Sequence, residues 1–327
     1  MNTAGFFSAW QYRALILTIV CAAVGYLGFS LWSGWREVSQ ALQSVGLLGI
    51  LLVLMMSLIN YGLRFIRWQG YLQTLGHQVP WQPSLKIYLA GFALTTTPGK
   101  AGEALRGVLL KPLGVPLSHS LAAFFSERLS DLFAIVLLTL FGLTLYPESH
   151  ILIWIGIGCI ALAFLVLSQQ KLLALAIQRL KQSQTTFAQL LLKLFNILAQ
   201  AQQCHKPLQL ITASVLSYIA WSAEALAFYW VLSWMGADIS LPFAVFVYAI
   251  AMLAGALSFM PGGLGGAEAV MIALLIWAGM PNPDAVAATV LIRLATLWFA
   301  VAIGAAFLST VSPAPITLTK HSLDSFK

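Results

Sequence analysis

Residues 95–103 read Thr95-Thr96-Thr97-Pro98-Gly99-Lys100-Ala101-Gly102-Glu103, and residues 261–268 read Pro261-Gly262-Gly263-Leu264-Gly265-Gly266-Ala267-Glu268. Each stretch cuts an apolar run, 84–111 in the first case and 241–279 in the second. Proline removes a backbone donor and glycine loosens the helical ladder, so neither run continues as one helix. In hydrocarbon, peptide groups freed by such a break need a partner from protein or from a wet cavity. The reading is a helix–break–helix hairpin at each site, re-entrant rather than spanning. Its break residues are Pro98, Gly99 and Gly102 in one case, Pro261, Gly262, Gly263 and Gly265 in the other.

The flanking sequence makes a bilayer the setting. Of 327 residues, 60% are hydrophobic and only 8% are charged, whereas a soluble domain carries about 25% charged residues. Uninterrupted apolar runs cover 14–32, 45–66, 117–146, 150–168, 207–235 and 284–310. A bilayer core of ~30 Å needs about 20 such residues per helix. The expected fold is an all-α polytopic membrane protein with about six full spans plus two hairpins. A signal peptide competes for 14–32, but no small-residue cleavage site follows, and a retained first helix is the reading. The net charge of +7 fits basic loops on the cytoplasmic side better than nucleic-acid binding.

The two breaks belong to a duplication. Glu103 and Glu268 are offset by 268 − 103 = 165. The same offset pairs Gly114 with Gly279, Pro116 with Pro281, Ala122-Ala123 with Ala287-Ala288, Arg128-Leu129 with Arg293-Leu294, and Leu132 with Leu297. Leu75-Gly76 aligns with Met235-Gly236 at a slightly different offset. An ordered series of such matches marks an internal repeat. The chain divides into a first helix and amphipathic linker (1–44), repeat one (45–146), a linking helix and cytoplasmic amphipathic segment (147–206), repeat two (207–310) and a cytoplasmic tail (311–327).

Basic residues set the orientation. With the N-terminus inside, Arg64, Arg67, Lys86, Lys100, Arg106 and Lys111 gather at the inner face around the first hairpin, while 236–283 holds no Lys or Arg. That asymmetry follows the positive-inside rule and puts both termini in the cytoplasm of a bacterial inner membrane. The repeats are then inverted, a transporter pattern with the site at the repeat interface. Segment 169–206 carries Lys171, Arg179, Lys181, Lys193 and Lys206 among leucines at helical spacing. It reads as amphipathic helices on the inner surface or as an ordinary connector.

Charges inside apolar helices carry the chemistry. Glu127, Arg128 and Asp131 share one helix; Glu224 and Arg293 each sit in another, and Glu103 and Glu268 follow the breaks. Each costs at least ~2.5 kcal/mol at a helix centre, so it should face the bundle interior and pair. Two readings stand together: Glu103–Arg128 and Glu268–Arg293 as structural ion pairs, or the same groups lining a polar path. Asn60, Arg64 and Arg67 share one helical face. With Lys100 and Arg106 they form a basic cluster suited to a phosphate or carboxylate, or a simple positive-inside anchor. Glycine-rich 262–266 is no P-loop, since no Lys-Ser/Thr follows. Cys21, Cys159 and Cys204 form no ligand pattern, and His77, His119, His150, His205 and His321 are scattered. No metal, no cofactor and no catalytic constellation is read; the protein is not expected to be an enzyme.

The ordered set Asn60…Arg64…Arg67-Trp68, Pro98-Gly99-Lys100-Ala101-Gly102-Glu103…Arg106, Glu127-Arg128…Asp131, Pro261-Gly262-Gly263-Leu264-Gly265…Glu268 and Arg293 resembles the lysylphosphatidylglycerol synthase transmembrane-region family. Its members are also described as flippase-like domain proteins. The resemblance covers roughly 10–310. Lys100 stands where many members carry Arg. The resemblance implies moving or handling lipids: aminoacylated phosphatidylglycerol in the full-length synthases, other lipids or polyprenyl carriers in stand-alone members. The synthases append a soluble aminoacyl-transferase domain, and none is expected within these 327 residues. The expectation is a lipid translocase with Arg64, Arg67, Lys100 and Arg106 at the head group. The alternative is a non-transporting subunit that docks or activates a separate transferase.

Overall fold

The computed structural model describes residues 25, 28, 35–96, 103, 106–144, 151, 154–158, 169–182, 185–258 and 260–311. Regular structure among them is entirely helical. The elements are α1 (Trp35–Thr74), α2 (Trp81–Gly91) with a 3-10 turn (Phe92–Leu94), α3 (Arg106–Leu110), α4 (Leu117–Leu143), α5 (Gln170–Lys181) and α6 (Thr186–Gln203). There follow α7 (Pro207–Trp234), α8 (Leu241–Leu257), a 3-10 turn (Pro261–Gly263), α9 (Gly266–Trp277), α10 (Asn282–Arg293), a π-helical turn (Leu294–Trp298) and α11 (Phe299–Leu308).

Three helices among the described residues are long and apolar enough to cross a bilayer: Arg36–Thr74, Pro207–Trp234 and Asn282–Leu308. The expected runs 14–32 and 150–168 lie largely outside the described residues. Helix α4 is 27 residues long, which reaches about 40 Å at 1.5 Å per residue, but Glu127, Arg128 and Asp131 interrupt its apolar surface. Helix α1 differs from the sequence reading at its end. The apolar run 45–66 predicts an end at residue 66, yet the helix continues to Thr74, and a kink at Gly46 (φ 67°) sets its first turns, from Trp35, apart from the rest. Arg64 and Arg67 do not mark a water boundary there, because both are buried inside the protein.

Helix ends follow local chemistry. Gly76, Gly114, Gly236 and Gly279 all have left-handed φ, between 79° and 93°. At each, the next amide bonds back to a carbonyl in the last turn, as in His77 N to Leu72 O (2.9 Å) and Met280 N to Leu275 O (3.0 Å). Glycine reaches this conformation without the Cβ penalty that other residues meet. The second break is built the same way, with φ of 64°, 69° and 84° at Gly262, Gly263 and Gly265. Beyond it, the Gly265 amide donates to Glu268 Oε2 at 2.7 Å. A glutamate at the third helical position thereby caps the start of α9. Phe243 at the start of α8 and Trp277 at the end of α9 have ring centroids 5.9 Å apart. The two helices therefore fold back on each other as an antiparallel pair.

Packing joins the halves crosswise. Helix α1 lies against α7, α8 against α4, and α2 against α11; α4 also meets α7, and α1 meets α10. Exchanging α1 with α7, α2 with α8 and α4 with α10–α11 maps this set of contacts onto itself. Thr96, the last described residue before the first break, lies close to the second: a Cβ on Gly262 would lie 3.6 Å from Thr96 Cα. Two buried apolar clusters result, one dominated by α7–α10 and one by α1, α2 and α4.

Candidate functional site

The charged residues that the helices bury are linked to one another through shared partners. Helix α4 turns Glu127 and Asp131 inward at a spacing of one helical turn. Arg67, one turn past Arg64 on α1, donates to Asp131 Oδ1 at 2.7 Å and stands 3.7 Å from Glu127. It also donates to Ser217 Oγ on α7. Trp221 Nε1 donates to the same Asp131 oxygen at 3.1 Å, and Arg64 lies 3.5 Å from Asp131 Oδ2. Arg106 donates to Glu127 Oε2 at 2.7 Å and to the Glu103 carbonyl at 3.0 Å. Its guanidinium is stacked by Trp68 and Tyr88, with centroids at 4.5 and 4.8 Å. Arg128 stands 3.0 Å from Asp131 and 3.6 Å from Glu103.

The second half supplies a simpler counterpart. Arg293 Nε donates to Glu268 Oε1 at 2.7 Å, and its Nη2 donates to the Gly262 carbonyl at 3.0 Å. Tyr248 donates to Glu224 Oε2 at 2.5 Å. Glu268 thus holds the head of α9 through one oxygen and α10 through the other. Asn60 pins α1 to α7 by donating to the Ala220 carbonyl at 2.8 Å.

The structure therefore brings Asn60, Arg64, Arg67, Glu103, Arg106, Glu127, Arg128, Asp131, Glu224, Glu268 and Arg293 together. Pro98, Gly99, Lys100 and Gly102 lie outside the described residues. Of the basic residues expected at a head group, Arg67 and Arg106 have side chains 0% and 2% exposed, already engaged by carboxylates and rings. Arg128 keeps 25% of its side chain exposed.

Two cavities adjoin this cluster. One, of about 50 Å³, is lined by Tyr61, Arg64, Glu103, Glu224, Tyr248 and Arg293 among others. The other, of about 330 Å³, is lined by Arg128, Asp131, Arg293, Gly262 and Gly263 together with apolar side chains such as Ile135 and Leu253. Trp221, Met252, Arg293 and Leu297 line both. Among the described residues no group of three His, Cys, Asp or Glu could hold a metal ion. His77 and His119 instead bond each other, ring nitrogens 2.7 Å apart.

Sequence reasoning missed the aromatic and hydroxyl members: Tyr61, Trp221, Tyr88, Tyr248 and Thr296. Such residues look ordinary in an apolar helix. The upstream register, 236 − 76 = 160, would have found several. It pairs Arg64 with Glu224, Tyr61 with Trp221, and Tyr88 with Tyr248. Tyr61 donates to the Thr296 carbonyl at 2.5 Å while Trp221 donates to Asp131; Asp131 and Thr296 are themselves 165 apart.

The lysylphosphatidylglycerol synthase TM region matches residues 14–304. A UPF0104 membrane protein of Methanothermobacter thermautotrophicus is 25% identical over 320 residues, covering 92% of this chain and 92% of the relative. A second one from that organism is 24% identical, covering 90% and 95%. A UPF0104 membrane protein of Pyrococcus horikoshii is 24% identical, covering 84% and 90%. With nearly the whole chain matched, broken helices and buried charges included, the protein belongs to the lysylphosphatidylglycerol synthase TM region family of membrane proteins.

Proposed function

We propose that this protein is a lipid translocase, moving a phospholipid or polyprenyl-linked lipid between leaflets of the bacterial inner membrane. Its two halves act as inverted repeats, with re-entrant hairpins α2–α3 and α8–α9, and both termini are cytoplasmic. One observation carries the reading. Arg64, Arg67, Arg106, Arg128 and Arg293 converge with Glu103, Glu127, Asp131, Glu224 and Glu268 where the hairpins meet. Five of the chain's ten acidic residues are thus spent in its apolar interior. Replacing buried ion pairs by apolar side chains is often neutral or stabilising, so stability alone is a weak reason to keep ten such groups. A polar path for a head group is a sufficient one. Movement of the hairpins would expose the site to each leaflet in turn, and Lys100 would add a cation at the cytoplasmic entrance.

The test is reconstitution of the purified protein in vesicles with fluorescent lipids and a leaflet-selective quencher. Protein-dependent loss of the protected fraction is expected, reduced in Arg128→Gln. Vesicles in which no candidate lipid moves would overturn the proposal. A second reading, docking of a separate transferase, is favoured by the exposed apolar face of α6, where Phe187 and Leu190 are 70% and 65% exposed. Loss of cellular function on altering that face, without lipid movement by the wild type, would favour it.

A further inference from the structure

The larger of these two cavities has both polar and apolar lining. Arg128 from α4 and Arg293 from α10 both line it, at positions 165 apart in the sequence. Leu132, Leu257 and Met260 line it as well and are 45%, 67% and 48% exposed. Its apolar side therefore opens outward, where lipid chains would lie.

These two arginines have donors left over. A guanidinium carries five N–H donors. Arg128 Nε has no hydrogen-bond partner among the described residues. Arg293 uses Nε and Nη2, but among the described residues its Nη1 meets only Met252 Sδ at 3.8 Å, a weak acceptor. Arg106, by contrast, is filled by Glu127, the Glu103 carbonyl and two aromatic faces. A π-helical turn begins directly after Arg293, a widening of the helix that recurs at functional sites.

We propose that Arg128 and Arg293 clamp one phosphate in this cavity, and that the phosphate is the diester of a lipid whose chains lie along Leu132, Leu257 and Met260. The inference rests on the translocase reading and deepens it by naming the ligand chemistry and the two residues that hold it. Guanidinium groups suit the task because they bind phosphate through paired, charge-assisted hydrogen bonds. The apolar wall distinguishes a lipid phosphate from a free one.

The experiment follows the thermal unfolding midpoint of the full chain in detergent during titration with short-chain phosphatidylglycerol. Matched diacylglycerol and inorganic phosphate are the comparison ligands. Arg128→Gln removes one arm of the clamp at a partly exposed site. Leu257→Trp plugs the apolar mouth without touching an ion pair, and keeps the test sound should Arg293→Gln fail to fold. A saturable rise with phosphatidylglycerol alone is expected, with apparent affinity at least tenfold weaker in both Arg128→Gln and Leu257→Trp. Equal stabilisation by diacylglycerol would reduce the cavity to an apolar groove and overturn the clamp. Inorganic phosphate acting equally in wild type and Leu257→Trp would overturn the lipid source, and undiminished binding by Arg128→Gln would remove that arginine. Clamp binding without lipid movement in vesicles would sink the translocase and leave the clamp. Lipid movement with undiminished Arg128→Gln binding would do the reverse.

Discussion

Glu268 shows what a single residue does here: it caps α9, holds Arg293, and does both from a nearly inaccessible position. Removing either partner strands a buried charge, which costs roughly 3–5 kcal/mol. Glu268→Gln and Arg293→Gln should therefore each lower stability strongly, and the double variant should lose much less than their sum. Additive losses in a double-mutant cycle on unfolding would reject direct coupling. His77 offers a pH-dependent counterpart outside the helices. Its pKa lies below the usual 6.5, first because it is partly buried and second because it faces His119. The native state then takes up a proton less readily than the unfolded chain. The contribution of His77 is full above pH 6.5 and declines as pH falls from there toward its native pKa. Unfolding midpoints measured between pH 7.5 and 5 should fall less steeply in His77→Asn than in wild type; parallel curves would exclude the pair as the cause.

At the scale of elements, glycine decides where helices approach. A Cβ on Gly304 of α11 would fall 2.1 Å from the Ala93 amide nitrogen and 2.6 Å from the Phe92 carbonyl carbon. That contact seats the 3-10 turn at the tip of α2 against the second half. Backbone cannot yield as a flexible side chain can, so Gly304→Ala should cost about 1–3 kcal/mol, as overpacking does. Gly62 on α1 has nothing within 4 Å of its Cβ position. Gly62→Ala should be neutral or gain up to about 1 kcal/mol from helix propensity. Unfolding midpoints of the two variants in one detergent check the contrast, and a harmless Gly304→Ala would contradict the close approach. The second break was legible, because proline and glycine are local signals. The π-helical turn after Arg293 was not, since nothing in Leu294–Trp298 distinguishes it from ordinary helix.

For the whole molecule, the orientation proposed from basic residues has a direct check. Cys204 is buried, so the native thiol is a poor reporter. A variant lacking Cys21, Cys159 and Cys204 and carrying Gln203→Cys, an exposed position beside it, should react with an impermeant thiol reagent only after the cells are opened. Labelling in intact cells would reverse the topology and remove the inverted arrangement. Composition by itself determined the helical class and the membrane setting. With 8% charged residues the chain cannot coat itself for water, and in lipid a segment must close its own hydrogen bonds, which a helix does. The offsets of 165 and 160 can likewise be read from the sequence alone, and the crosswise helix contacts follow the same exchange. Only the tertiary structure decided which charges meet. The sequence pairs Glu103 with Arg128, yet Arg106 takes Glu127 at 2.7 Å, Arg67 takes Asp131 at 2.7 Å, and Glu103 meets Arg128 at 3.6 Å. Partners from α1, α3, α4 and α7 are brought within reach only by the packing of those helices. Hydrogen-bond energy depends on that distance and angle, which spacing along the chain does not contain.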